Sequence, residues 1–244
     1  MTAEEKVPLR SRQLTLELPL APGFGPEDFF VSGSNESAYA MVERWPAWPD
    51  HVLIIKGPRG SGKSHLGAIW AANAGARILP AASLGNAEIE ALASSGPLLL
   101  EDLEALGSAQ TQLFHLINLI RESGAALVLT AERPPDAWGL GIADLLSRLR
   151  LAPCVEIGAP DDALMRAVLV KLLIDRQLVV DIRVVDYAAL HLERSLDAAR
   201  IFIEALDREA LARKSRITRQ MAADVLRALL KADADDLTAI DEKE

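Results

Sequence analysis

The sequence contains a single cysteine, Cys154, so no disulfide can form within the chain and no cysteine-based metal cluster can assemble. On the burial habits of free thiols, Cys154 reads as a small buried hydrophobe in a reducing compartment. Positive charge is also short. The formal net charge is −9 and aromatics make up only 5 % of residues, which counts against a surface that grips nucleic acid over its whole extent. No stretch approaches 18 uncharged apolar residues, so no membrane-spanning helix is expected. The N-terminal MTAEEKVPLRSRQ is charged and lacks the apolar run of a secretory leader, which points to a cytoplasmic protein. Half of the 244 residues are apolar and a quarter are charged, a composition suited to one or two globular domains.

Residues 1–27 are polar and rich in proline, and read as a linker-like arm. Within it QLTLEL (13–18) alternates like one short strand, yet no hairpin partner lies beside it. From residue 28 to 160 strand-like and helix-like stretches alternate. SNESAYAMVERW predicts a helix capped at Ser34 or Asn35, VLIIKG a buried strand, and Lys63 to about Ala74 a helix. ARILPA is a weak strand, NAEIEALASS a helix and PLLLEDLE a second buried strand. QTQLFHLINLIRESG is a helix, AALVLTAERPP a strand, DLLSRLR a short helix and CVEIGAP a last strand. Such alternation implies an α/β domain, a parallel sheet flanked by helices. After Pro160 only helical periods remain, with Asp161, Ser195 and Thr218 placed to cap, so residues 161–232 form a small all-helical domain. Residues 233–244 are an acidic tail.

Chemistry concentrates in GPRGSGKS. Gly57, Pro58, Arg59, Gly60, Ser61, Gly62, Lys63 and Ser64 satisfy G-x-x-x-x-G-K-S after a predicted strand and at the head of a predicted helix, which is the context that motif needs. Loop N–H groups and the helix N-terminus surround a nucleotide phosphate, Lys63 reaches the terminal phosphates, and Ser64 directs its hydroxyl at Mg²⁺. His65 follows in the first turn and completes the set of nucleotide-binding candidates. LLLED (98–102) brings two acids out at the C-terminal edge of the sheet, where ligands bind in such folds. Glu101 is the Mg²⁺-side candidate, and Asp102 the candidate for orienting the attacking water. Thr130 ends the next strand, in position for the γ-phosphate or that water. Arg148 in LLSRLR is a candidate arginine finger, of the kind that reaches a neighbouring protomer's γ-phosphate.

In this order the P-loop, the acid pair, Thr130, the Arg of SRL and the helical region resemble an AAA+ ATPase with its lid. DFFVSGSNESA (28–38), EDL (101–103), SRL (147–149) and the segment from Pro160 are similar to the DnaA branch of that superfamily. The resemblance covers about residues 24–232 and implies ATP or ADP with Mg²⁺ as cofactors. DnaA carries a helix-turn-helix DNA-binding domain after its lid; here only residues 233–244 follow, which implies a member without origin recognition. QLTLEL is similar to the bacterial sliding-clamp-binding hexapeptide, with Gln13 making polar contacts and Leu14, Leu16 and Leu18 as apolar anchors. The resemblance thus implies three partners: the clamp (the polymerase beta subunit), DNA only through that clamp, and DnaA, whose bound ATP Arg148 would help to hydrolyse. A homodimer of stacked cores is open on the same grounds.

The sequence departs from the family at two places. Glu101 stands where Asp is usual, which leaves self-hydrolysis inefficient. At the lid position where the family has a sensor arginine the chain has Asp197, with Arg200 one turn on as the substitute expected to contact nucleotide and Arg194 behind it. Three other readings remain: a helicase loader or similar DNA-handling ATPase, a self-sufficient ATPase or nucleotide kinase, and a non-catalytic adaptor binding clamp and nucleotide.

Overall fold

A computed structural model of the chain describes residue 25 and residues 28–241, the last nine of them by backbone alone. The hexapeptide 13–18 lies outside the described residues. Chain order is α1 (Glu36–Glu43), β1 (Val52–Lys56), α2 (Lys63–Ala74), β2 (Arg77–Pro80), α3 (Ile89–Ala93), β3 (Leu98–Glu101), α4 (Gln110–Ser123), β4 (Leu127–Ala131), α5 (Ala143–Leu151) and β5 (Cys154–Glu156). Four helices follow: α6 (Asp162–Asp175), α7 (Ile182–His191), α8 (Leu196–Arg213) and α9 (Arg219–Asp241).

The strands form one parallel sheet in the order β2-β3-β4-β1-β5. Val52, Leu53, Ile54 and Ile55 of the central β1 are fully buried, as are Leu98, Leu99 and Leu100 of β3. A strand covered on both faces must be apolar on both, which is why these runs show no alternation. One face packs on α1 and α2 through Leu53, Ile55, Leu66, Trp70, Leu99 and Val128. The other packs on α3, α4 and α5 through Ile54, Leu100, Leu113, Ile117, Leu129, Leu145 and Leu149. Both edge strands are exposed. In β2, Ile78 is open to solvent, and in β5 Cys154 is exposed, contrary to its expected burial, because β5 pairs only with β1.

The predicted caps act as expected in the helical region. The Asp161 carboxylate accepts from Leu164 N at 2.8 Å, the Ser195 hydroxyl from Ala198 N at 3.3 Å, and the Thr218 hydroxyl from Met221 N at 3.2 Å. Met165, Leu169, Phe202, Ile203, Leu206 and Ala222 make a second core that is separate from those of the sheet. The backbone of α9 runs on through the acidic tail to Asp241. Asn35 does not cap α1. It is buried and folds the preceding turn instead, accepting from Ser32 N at 2.8 Å and donating to the Phe30 carbonyl at 2.9 Å. No helix among the described residues is long and apolar enough to cross a membrane.

At the N-terminal edge of the sheet Arg121, in the last turn of α4, grips Asp50 just before β1. Its Nε donates to Oδ1 at 3.2 Å and its Nη2 to Oδ2 at 2.5 Å. Burial alone would raise the Asp50 pKa. The Arg121 hydrogen bond and charge, together with the backbone N–H groups of His51 and Val52, outweigh it and hold the carboxyl below its ordinary range. A carboxyl whose pKa is lower folded than unfolded stabilises the fold above its unfolded value and loses that contribution as pH falls through the folded one. Asp50→Asn is therefore expected to lower stability near neutral pH by roughly 1.5–3 kcal/mol. It should also flatten the loss of stability below about pH 4. Urea melts of both proteins from pH 7 to pH 3 check this.

Candidate nucleotide site

β1 delivers the chain into the P-loop at the C-terminal edge of the sheet, and α2 starts at Lys63. Two glycines there are required by shape. A Cβ on Gly57 would meet the Ile157 carbonyl oxygen at 2.2 Å. Gly60 has φ +69°, and its Cβ would meet the Ser195 hydroxyl at 2.0 Å. Gly62 precedes α2 with φ +101° and no side chain caps the helix, so its first N–H groups open onto the loop.

Lys63 is buried within the loop, and its ammonium donates to the carbonyls of Gly57 (2.8 Å) and Pro58 (3.0 Å). Burial pushes its pKa down, and the charges of Glu132, Glu104, Asp102 and Asp197 oppose that shift. The Ser61 hydroxyl is buried without a hydrogen-bond partner among the described residues. A buried orphan hydroxyl, an uncapped helix start and a lysine held on loop carbonyls make a cradle that fits phosphate. Gly25 and the segment 28–35 wall it on one side. Gly25 O lies 3.1 Å from His65 Nε2, the Phe29 ring meets His65 edge-on at 5.3 Å, and Gly158 N donates to Ser34 O at 2.7 Å.

The acids are arranged less simply than the sequence suggests. Glu101 ends β3, paired with Pro80 of β2, one residue past the last β3–β4 pair, Leu100 with Leu129. Asp102 turns sharply, with φ +59°, and its N–H donates to the Thr130 hydroxyl at 3.1 Å. Thr130, expected at the γ-phosphate or the attacking water, is fully buried and fixes that turn. Reading along the chain missed Glu104 and Glu132. Glu104 accepts from the N–H groups of Glu132 (2.6 Å) and Arg133 (3.1 Å), and both acids act on Lys63. The legible signal was Glu132's place directly after β4, on the edge where Asp102 emerges.

The helical region closes over the loop, because Leu196 N at the start of α8 donates to the Gly60 carbonyl at 2.7 Å. This brings Asp197 toward Lys63. Arg200, expected as the nucleotide contact, pairs with Glu204 at 3.3 Å, which also binds Arg176. Arg194 pairs with Asp162 at the start of α6. Asp197→Asn is expected to tighten triphosphate binding on the order of fivefold, and diphosphate binding less, since one anion facing the phosphates is removed. Titration with fluorescent ATP and ADP analogues measures the ratio.

Arg148 stands apart from this cluster. It lies on α5, whose C-terminal end leads into β5, and its carbonyl accepts from Arg121 Nη2 at 3.2 Å. Arg121 holds Asp50 at the N-terminal edge of β1, so the Arg148 backbone lies at that edge, while its guanidinium reaches the Phe114 ring, about two turns before Arg121 on α4.

Domain III of the Thermotoga maritima replication initiation protein DnaA superposes on this chain with a TM-score of 0.74, covering 86 % of this chain and 98 % of that one at 21 % identity. The chain has the fold of DnaA domain III. The replication initiator DnaA bound to AMPPCP and single-stranded DNA superposes with a TM-score of 0.68 at 23 % identity, covering 80 % of this chain and 69 % of that one. In sequence, DnaA of Lachnoclostridium phytofermentans is 28 % identical over an alignment of 273 positions, covering 98 % of this chain and 59 % of the relative. No protein-family model matches. The chain spans about half the length of the curated DnaA proteins it matches. The part that shares this fold comprises the sheet, the P-loop and the helical region that reaches it through Leu196.

Proposed function

We propose that this chain is a nucleotide-holding regulator of replication initiation of the Hda kind. It would bind the sliding clamp through residues 13–18 and promote hydrolysis of ATP bound to DnaA. The observation that carries the reading is the position of Arg148. Its guanidinium rests on the Phe114 ring of α4, with no carboxylate partner among the described residues, while Lys63 serves the chain's own P-loop, so Arg148 suits a neighbour's nucleotide. The likeness to DnaA domain III supports DnaA as that neighbour, since cores of one fold can stack edge to edge.

Gly57 to His65 would hold ADP or ATP, with Ser64 and Glu101 on the Mg²⁺ side. Mg²⁺ held there would neutralise phosphate charge. The P-loop amides and Lys63 would bind and orient the phosphates and Asp102 would orient the attacking water, with Thr130 holding the Asp102 backbone in place. On this reading the chain's own turnover is slow and its nucleotide keeps the core in a docking shape. Arg148 brings a fixed positive charge to the γ-phosphate of DnaA-bound ATP as negative charge develops in the transition state. The clamp holds the protein in the cytoplasm at newly replicated DNA, and a homodimer of the same stacking geometry competes with DnaA for the Arg148 face.

The test follows the nucleotide bound to DnaA, with clamp-loaded DNA present, as the full chain is added. ATP should convert to ADP at a rate that rises with the amount of protein. Gln13→Ala is expected to cut the effect at limiting protein by about tenfold or more, because tethering supplies local concentration, and to matter little at high protein. No conversion with the wild-type chain refutes the reading.

A further inference from the structure

The three arginines around α5 hold their charges differently. Arg121 is committed to Asp50 through two hydrogen bonds. Arg150 is committed to Asp136. Arg148 has no carboxylate partner among the described residues. Its guanidinium carbon lies 5.2 Å from the centroid of the Phe114 ring, on the neighbouring helix α4. Phe114 is itself anchored, packed on the core that joins α4 to the sheet. Its side chain therefore offers a fixed face.

The choice of a ring has a chemical consequence. A carboxylate holds a guanidinium by occupying its N–H donors and cancelling its charge. A ring face attracts the cation through its quadrupole and leaves the five donors pointing elsewhere. An unsupported arginine loses rotamer entropy when it engages a phosphate. Backbone position is fixed from the other side, since Arg121 binds the Arg148 carbonyl and Asp50 fixes Arg121. Arg148 is thus constrained at both ends while its donors stay open to a ligand.

We propose that Phe114 is a positioning residue for Arg148, presenting its guanidinium with donors outward to the phosphate of a nucleotide on a neighbouring protein. This rests on the regulator reading above, and its test separates the two. Wild type, Phe114→Leu, Phe114→Tyr and Arg148→Ala are compared in single-turnover hydrolysis of DnaA-bound ATP across a range of protein concentrations. Leucine keeps the aliphatic packing and removes the ring, whereas tyrosine keeps the ring. Phe114→Leu should lower the maximal rate roughly two- to fivefold and leave the half-saturating concentration unchanged. Phe114→Tyr should stay within about twofold of wild type.

A second readout needs no partner. In the isolated chain the Arg148 Hε resonance should show an upfield ring-current shift that Phe114→Leu abolishes and Phe114→Tyr retains. A wild-type rate in Phe114→Leu, or a Tyr variant as slow as the Leu variant, overturns the proposal while the regulator reading stands. So does an Arg148 Hε resonance with no shift in the wild type. If Arg148→Ala is as active as wild type, both fall together.

Discussion

Arg148→Ala is expected to remove stimulated hydrolysis of DnaA-bound ATP almost completely, by roughly 10³-fold or more, the scale of an arginine finger supplied in trans. The same variant should keep its own nucleotide affinity and its stability close to wild type. The geometry gives the reason. The guanidinium rests on the Phe114 ring of α4 and pairs with no carboxylate among the described residues, whereas Lys63 is held inside the P-loop. Removing the side chain deletes no ion pair and little packing, so any large loss must appear in a neighbour's chemistry. The check is the single-turnover rate for DnaA-bound ATP, measured beside equilibrium binding of a fluorescent ADP analogue to the variant alone. An unchanged rate, with clamp binding retained, would mean that the stimulation does not come from Arg148, and would leave the chain an adaptor with no arginine finger. A parallel loss of ADP affinity would mean that Arg148 serves its own site.

Lys63→Ala should weaken binding of ADP and ATP by about a hundredfold or more. The ammonium is buried in the loop and tied to the carbonyls of Gly57 and Pro58, which leaves it placed to turn onto a phosphate. Its removal deletes charge-assisted hydrogen bonds to phosphate, each worth roughly 1.5–3 kcal/mol. Four carboxylates, those of Glu132, Glu104, Asp102 and Asp197, would then face an incoming polyphosphate without the cation that offsets them. The variant should still fold, because an alanine at the head of α2 suits a helix and the core beneath it is made by Leu66 and Trp70. Calorimetric titration with ADP and ATP, with and without Mg²⁺, measures the loss. Gly57→Val provides a contrasting case. Its side chain would collide with the Ile157 carbonyl, so nucleotide binding and stability should fall together.

Much of the site was legible in the sequence because its parts are local. GPRGSGKS carries its geometry in consecutive residues, and LLLED announces a strand that buries three leucines and ends in acids. The continuous apolar runs pointed to parallel strands, since only burial on both faces tolerates them. Asp161, Ser195 and Thr218 could be named as caps because a cap bonds within three residues. What was missed depends on distant contacts. Glu104 acts on Lys63 only because the chain after β3 folds beside the end of β4. Arg200 is held by Glu204, an i,i+4 pairing that the same helical spacing made legible, and only the approach of Arg176 to that carboxylate is a distant contact. Thr130 sits at its predicted strand end, but the turn at Asp102 takes its hydroxyl.

The sequence by itself determined the P-loop, the order of strands and helices along the chain and the existence of a helical lid. Each of these is written in local pattern: glycine spacing, apolar period and capping side chains. Only the tertiary structure decided that α8 docks its first N–H on Gly60, that Asp197 joins the anions around Lys63, and that Arg148 lies over the Phe114 ring. These depend on how the sheet orders its strands and how helices from separate layers meet, and no window of sequence contains both partners.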